Sequence, residues 1–384
     1  MQYDFDRRID RRNSDCVKWN YYDKDVLPLW VADMDFVSPQ PVVQALVQRA
    51  RQAVFGYPKQ SEGLEEAIRE RQLEKHGWQV PAEAVTLVPG VVTGFHIACH
   101  MLSPGQDGVL VQTPVYPPIL KAWTVNDLLN QSMQFTQQPD GSYAIDWDAF
   151  EAAFTPQTRL FILCNPHNPV GRVFRKDELE RMAEICLRHD VLICSDEIHA
   201  ELLFPGSQHI PIASLDPEVA RHTITLTAPS KTFNIAGLHC SAAIIPDEHL
   251  RERYQSARKG LVGWIDVMSM AAALAAYRDG QEWLLQVKDY LNANRQFVYE
   301  TVNKELPGVS MGMPEGTYLA WLDCRAAGIP GNPCQFFLER SRLGLNDGSD
   351  FGPGGEGFVR LNFGCPRANL VVALERMKEA LLDR

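Results

Sequence analysis

Thr223-Ile224-Thr225-Leu226-Thr227-Ala228-Pro229-Ser230-Lys231-Thr232-Phe233-Asn234-Ile235-Ala236-Gly237-Leu238-His239 is the stretch whose reading decides the fold. Its first five residues are β-branched or apolar, the composition of a buried strand. Ala228-Pro229 stops that strand and leaves Ser230-Lys231 where a strand hands over to a loop. In a parallel α/β sheet this carboxyl-end edge is where ligands bind. No other Asp, Glu, Lys or Arg lies between Arg221 and Asp247, so a solvated surface lysine fits poorly. The residues alone leave two readings open. Lys231 is either a buried lysine in a salt bridge, or a desolvated amine of lowered pKa, nucleophilic enough to form a Schiff base with an aldehyde.

Working outward, four more apolar runs have the same character: 85–88, 108–112, 159–164 and 191–194. They are near-continuous rather than alternating, and helical patterns separate them. That combination predicts an α/β fold with a mostly parallel sheet covered on both faces. Polar residues gather just past these runs: Tyr116 in Thr113-Pro114-Val115-Tyr116-Pro117-Pro118, Asn168 in the second of two Asn-Pro pairs, and Asp196 and His199 in Ser195-Asp196-Glu197-Ile198-His199. Strand ends from separate elements can converge on one crevice, and Lys231 belongs to the same set. Pro89-Gly90-Val91-Val92-Thr93-Gly94 opens a helix, and the free N–H groups at such a start form a cup for an anion.

Further along, Arg360 stands inside the apolar strand pattern Phe358-Val359-Arg360-Leu361-Asn362-Phe363 and needs an anionic partner, either a structural carboxylate or a substrate carboxylate. His96 and His100 share a helix face, but no third ligand completes a metal spacing, so no metal is expected. Gly352-Pro353-Gly354-Gly355-Glu356-Gly357 lacks a following Lys-Ser/Thr and a helix, and reads as a turn before a strand. Residues 1–44 read as an arm, and Phe55-Gly56-Tyr57-Pro58 as a turn presenting Tyr57.

The chain has 384 residues, enough for two domains, and a net charge of −11 argues against nucleic-acid or anionic-membrane partners. The N-terminus lacks the apolar core of a signal peptide, and no apolar stretch is long enough to span a bilayer. Nine scattered cysteines without CxxC spacing read as small buried hydrophobes in a reducing, cytoplasmic setting.

Taken in order, WVADMDF, FGYP, PGVVTG, TPVYPP, NPHNPVGR, SDEIH, SKTFNIAGL and VRLNFGCPR resemble the fold-type I pyridoxal-phosphate enzymes, and within them the MalY/PatB-like cystathionine β-lyases. The resemblance spans nearly the whole chain. It implies an aspartate aminotransferase-like fold, with a large cofactor domain at 46–284 and a smaller α/β domain built from the arm at 1–45 and residues 285–384. It implies pyridoxal 5′-phosphate as cofactor, held covalently by Lys231, with Asp196 at the pyridine nitrogen, Asn168 and His199 near the phenolate oxygen and Tyr116 stacked on the ring. The phosphate would rest on Gly90, Val91 and Val92, with Ser230, Thr227 and Tyr57 from the second subunit of a homodimer with shared sites. Lys231, Tyr116 and Asp196 would be the catalytic residues. Arg360, Ala32 and Tyr57 would face the substrate. The implied reaction is α,β-elimination of L-cystathionine or a related cysteine S-conjugate, with an aminotransferase on the same scaffold as the alternative. One departure stands out: aminotransferases of this fold often carry an arginine eight residues past the lysine, where this chain has His239. Asn234, in the same loop, receives no role from the resemblance.

Overall fold

The computed structural model describes residues 1–59 and 62–383. Strands β1 (Val85–Val88), β2 (Gly108–Thr113), β3 (Leu129–Gln134), β4 (Thr158–Cys164), β5 (Leu192–Asp196), β6 (Thr223–Thr227) and β7 (Ser241–Ile244) form one sheet, ordered β1-β7-β6-β5-β4-β2-β3. Its neighbours pair in parallel except at β7, which runs antiparallel to both β1 and β6. Two strands lack the apolar-run signature. β3 is a mostly polar edge strand that buries only Met133, and β7 is built from small residues.

Burial on both faces explains the continuous apolar runs. Along β4, Leu160, Ile162 and Cys164 face one core, with Phe95 of helix α3 (Val91–Cys99) and Tyr254 of α5 (Glu248–Arg258). Phe161 and Leu163 face the other, against Leu179, Met182 and Ile185 of α4 (Lys176–Arg188). The longer helices α1 (Gln40–Arg51) and α2 (Glu62–His76) precede α3, after a single helical turn at Val17–Asn20. The chain then turns helical, through α6 (Val267–Asp279) and the 25-residue α7 (Gln281–Glu305).

A second, antiparallel sheet follows, ordered β8 (Leu319–Asp323), β10 (Phe358–Asn362), β9 (Asn346–Asp347). Helices α8 (Pro333–Ser341) and α9 (Arg367–Leu382) accompany it. The arm joins this half of the chain, because Leu27–Pro28 pairs in parallel with Leu343–Gly344. The result is an α/β fold with a mostly parallel main sheet and a smaller sheet beside it. One local detail differs from expectation. Lys231 lies in a single helical turn, Pro229–Thr232, rather than in an open loop, because Pro229 sits at a first helical position where its missing N–H costs nothing.

Candidate active site

The carboxyl ends of β2, β4, β5 and β6 open onto a cavity of about 500 Å³. Tyr116, Asn168, Asp196, His199, Ser230 and Lys231 line it, as do Gly90, Val91 and Val92 at the start of α3. The arm contributes Trp30, Val31 and Ala32, and the smaller sheet contributes Arg360 and Asn346. The cavity therefore lies where the main sheet, the arm and the smaller sheet meet.

Lys231 Nζ donates to the Ala32 carbonyl at 2.6 Å. Burial lowers its pKa to about 8, with Arg360 acting in the same direction and Asp33 and Asp196 opposing. Asp196 ends β5, and its Oδ1 accepts from the Ile198 N–H at 3.1 Å. Burial raises this carboxyl to about 7, despite that hydrogen bond and the nearby lysine. The amine and the acid are thus brought toward the same pH range.

Arg360 Nη1 donates to Asn168 Oδ1 at 2.9 Å, while Nη2 donates to the Trp30 carbonyl at 2.9 Å and to Asn346 Oδ1 at 2.6 Å. A guanidinium only donates, so the Asn168 oxygen faces Arg360 and its Nδ2 is left to donate elsewhere. Arg360 has no carboxylate partner among the described residues. Its Nε is buried without a partner, and burial lowers its pKa to about 10. His199 is buried too, with Nδ1 unpartnered and its ring edge-on to Tyr318 at 5.9 Å. Burial first, then the Lys231 and Arg360 charges, push it down to about 3, so it is neutral near pH 7. Burial also raises the Tyr116 phenol.

Gly90 caps α3 with φ of 108°, a conformation L-residues rarely adopt. That turn aims the first N–H groups of α3 at the cavity. Thr227 does not line the cavity; it is half-buried at the end of β6. Tyr57 does not line it either and is fully exposed, 100%. His239 does line it, in the left-handed conformation.

Several lining or supporting residues carry no sequence signal of their own. Asn346 and Phe351 lie just ahead of the glycine-rich turn at 352–357, in a stretch with no motif, and the Phe351 ring lies 4.9 Å from the Arg360 guanidinium. Asn234 proves to be a clip. Its Oδ1 accepts from Met34 N–H, and its Nδ2 donates to the Met34 and Phe36 carbonyls. Asn234 sits in the left-handed conformation with φ of 54°, which asparagine tolerates better than most residues while its amide bonds backbone nearby. His167 bridges two strand ends, its ring nitrogens 3.1 Å from the Cys164 carbonyl and 2.8 Å from the Pro114 carbonyl. Among the described residues no cluster of His, Cys, Asp and Glu could hold a metal.

The family model for aminotransferase class I and II matches residues 24–377. Cystathionine β-lyase PatB of Bacillus subtilis is 40% identical over 388 residues, covering 98% of this chain and 99% of PatB. The crystal structure of OvoB superposes with a TM-score of 0.95 at 44% identity, covering 100% of both chains. Cystalysin from Treponema denticola, whose crystal structure contains pyridoxal 5′-phosphate, gives 0.96 at 32% identity, also over 100% of both chains. With a family model over nearly the full length and relatives this similar in sequence and shape, the chain belongs to the class I and II aminotransferase family, among the MalY/PatB-like members of the fold-type I pyridoxal-phosphate enzymes.

Proposed function

We propose that this protein is a pyridoxal-phosphate-dependent carbon–sulfur β-lyase, cleaving L-cystathionine or a related cysteine S-conjugate to a thiol, pyruvate and ammonia. The observation that carries the reading is the convergence of Lys231, Asp196, Asn168 and Arg360 on one cavity, in a chain 40% identical to a protein named cystathionine β-lyase.

The residues present fit the cofactor. A buried carboxyl stands ready for a ring nitrogen, a helix start headed by Gly90 for a phosphate, and a tyrosine for a ring face. The orphaned His199 Nδ1 and Arg360 Nε are buried polar atoms that ligands would satisfy. Lys231 would hold the group and Asp196 would keep its ring nitrogen protonated. Asn168 Nδ2 and His199 would bind its phenolate side. Val91, Val92 and Ser230 would hold its phosphate, with Thr227 and the partner subunit's Tyr57 as outer contributors. When bound, pyridoxal phosphate supplies an electron sink for the pair left at the substrate Cα.

The chain's own part follows from the geometry. Arg360, aimed by Asn168, Asn346 and the Trp30 carbonyl, clamps the substrate α-carboxylate and fixes which Cα bond faces Lys231. The Lys231 amine, lowered to about 8 by burial, takes the Cα proton. The β-sulfur then leaves with the C–S electron pair, and hydrolysis yields pyruvate and ammonia. Trp30, Val31 and Phe351 give the cavity part of its apolar wall.

The test is pyruvate and ammonia release from L-cystathionine with no keto acid added. Stoichiometric pyruvate, ammonia and thiol support the lyase. Turnover only when a keto acid is supplied identifies an aminotransferase on the same scaffold, the second reading that the family model's description favours. Free cysteines throughout the chain support the proposal of a reducing, cytoplasmic location. No helix among the described residues is long and apolar enough to cross a membrane.

A further inference from the structure

Residues 30–32 of the arm line the cavity, and residues 30–36 join no sheet, so no neighbouring strand takes their carbonyls. Apart from the bond from Asp33 N–H to the Val31 carbonyl at 2.9 Å, side chains take those of residues 30–33. The Trp30 carbonyl accepts from Arg360 Nη2 at 2.9 Å and the Val31 carbonyl from Asn362 Nδ2 at 2.6 Å. The Ala32 carbonyl accepts from Lys231 Nζ at 2.6 Å and from the Tyr318 hydroxyl at 2.8 Å. The Asp33 carbonyl accepts from Lys18 Nζ at 3.0 Å and from Asn362 Nδ2 at 2.7 Å. Two of these donors, Lys231 and Arg360, are the residues to which the reaction assigns the proton and the substrate carboxylate.

Behind this row lies a group of charges that no step of the reaction uses. Lys18 is 0% exposed, its Nζ 2.9 Å from Asp35 Oδ2 and 3.5 Å from Asp33 Oδ1. Arg11 closes the other side, 2.8 Å from Asp35 and 3.0 Å from Asp33, and Trp19 Nε1 donates to Asp35 at 2.7 Å. Two cations and two carboxylates balance. An ammonium buried this completely has nowhere to go if its partners move, so the group locks the arm in one place.

We propose that the Lys18–Arg11–Asp33–Asp35 group is a positioning device for the reaction, fixing the Ala32 carbonyl as the rest for the Lys231 amine and the Trp30 carbonyl as the guide for Arg360. Lys18 and Asp33 touch neither reacting atom; they act through the arm's backbone and through charge. The proposal rests on Lys231 being the reactive amine of the site. The charged groups facing that amine are Asp33 from the arm, Asp196 from β5 and Arg360 from β10, with the His199 ring beside it. Those facing Lys18 are Asp33, Asp35, Arg11 and the Cys365 thiol. Asp33 is the arm's own charge on the amine and favours its protonated form, which gives a perturbation of the group a definite sign.

The experiment is the pH dependence of reductive methylation at Lys231, read by mass spectrometry in full-length protein stripped of cofactor. Asp33→Asn keeps the side chain's shape and removes its charge, so the labelling midpoint moves to lower pH by about half a unit or more. Lys18→Met removes the balancing cation and moves the midpoint the other way, and Lys18→Arg restores it. In the loaded enzyme Lys18→Met lowers kcat about ten-fold or more, and Lys18→Arg recovers most of it. An unmoved midpoint in folded Asp33→Asn protein overturns the proposal; that variant decides the matter alone if Lys18→Met does not fold. The labelling uses no substrate, so a failure of the lyase reading in the pyruvate assay is told apart from a failure here.

Discussion

Lys231 and Asp196 reach their protonation states through surroundings rather than through contact with each other. Burial and Arg360 bring the amine down to about 8, and burial brings the acid up to about 7. Lys231→Ala is therefore expected to abolish pyruvate release while the protein still folds; near-normal turnover in protein free of parent enzyme would sink the mechanism. Arg360→Ala should act mainly on substrate capture, costing on the order of 2–5 kcal/mol in kcat/KM, since truncation leaves Asn168 and Asn346 without their shared donor. The pH dependence of stability has a sign that can be worked out for Asp196. Its folded pKa, about 7, lies above the ordinary 3.8, so the native state holds a proton that the unfolded chain releases. The penalty for this carboxyl is absent below pH 3.8, grows as pH rises, and is complete above about 7. Asp196→Asn in cofactor-free protein should thus be more stable than the parent at pH 8, with the gap shrinking toward pH 5, as thermal melts at the two pH values would read.

At the scale of elements, the site depends on two places where a chain segment must be held at a set angle. Gly90 enters α3 at φ of 108°, and a Cβ there would meet nothing within 4 Å. Backbone conformation, not space, therefore demands glycine. Gly90→Ala should destabilise by about 1–2 kcal/mol and weaken cofactor retention, measured by titrating cofactor into stripped protein. Asn234 ties the turn after Lys231 to the arm through three hydrogen bonds to Met34 and Phe36. Removing them leaves buried backbone groups unpaired, so Asn234→Ala should cost roughly 1–3 kcal/mol in denaturant unfolding. If only stability falls and substrate binding is untouched, the clip is separable from the site.

For the whole molecule, Tyr57 is the residue that a single chain does not explain. It is fully exposed beside exposed Val54 and Phe55, and Leu261 and Trp264 are also exposed, at 63% and 73%. Apolar surface of this kind marks a contact face. The proposal of a homodimer with shared sites gives it a role, with Tyr57 reaching the partner's cofactor phosphate. Mixing Tyr57→Phe with Lys231→Ala protein should then restore part of the activity, because one site of the heterodimer carries neither lesion. No recovery despite demonstrated subunit exchange would count against shared sites. In the proposed division at 46–284, both boundaries are positions within helices rather than linkers, the first inside α1 and the second inside α7.

The α/β class and most of the parallel sheet were readable because strands buried on both faces must be apolar at every position, a property local enough to show in 85–88 or 159–164. The polar residues at the ends of those strands were readable for the same reason: Tyr116, Asn168, Asp196, His199 and Lys231 stand where continuous apolar runs stop. The edge strand β3 and the antiparallel β7 were not, since an edge strand needs little apolar surface and small residues show no preference for a sheet. Folding alone decided which carbonyls of the arm meet Lys231 and Arg360, 199 and 330 residues away, and that Asn234 holds the arm in place. Such contacts leave no trace in spacing or composition. Each depends on where whole elements come to rest, and that is set by the sum of the packing rather than by any neighbouring residue.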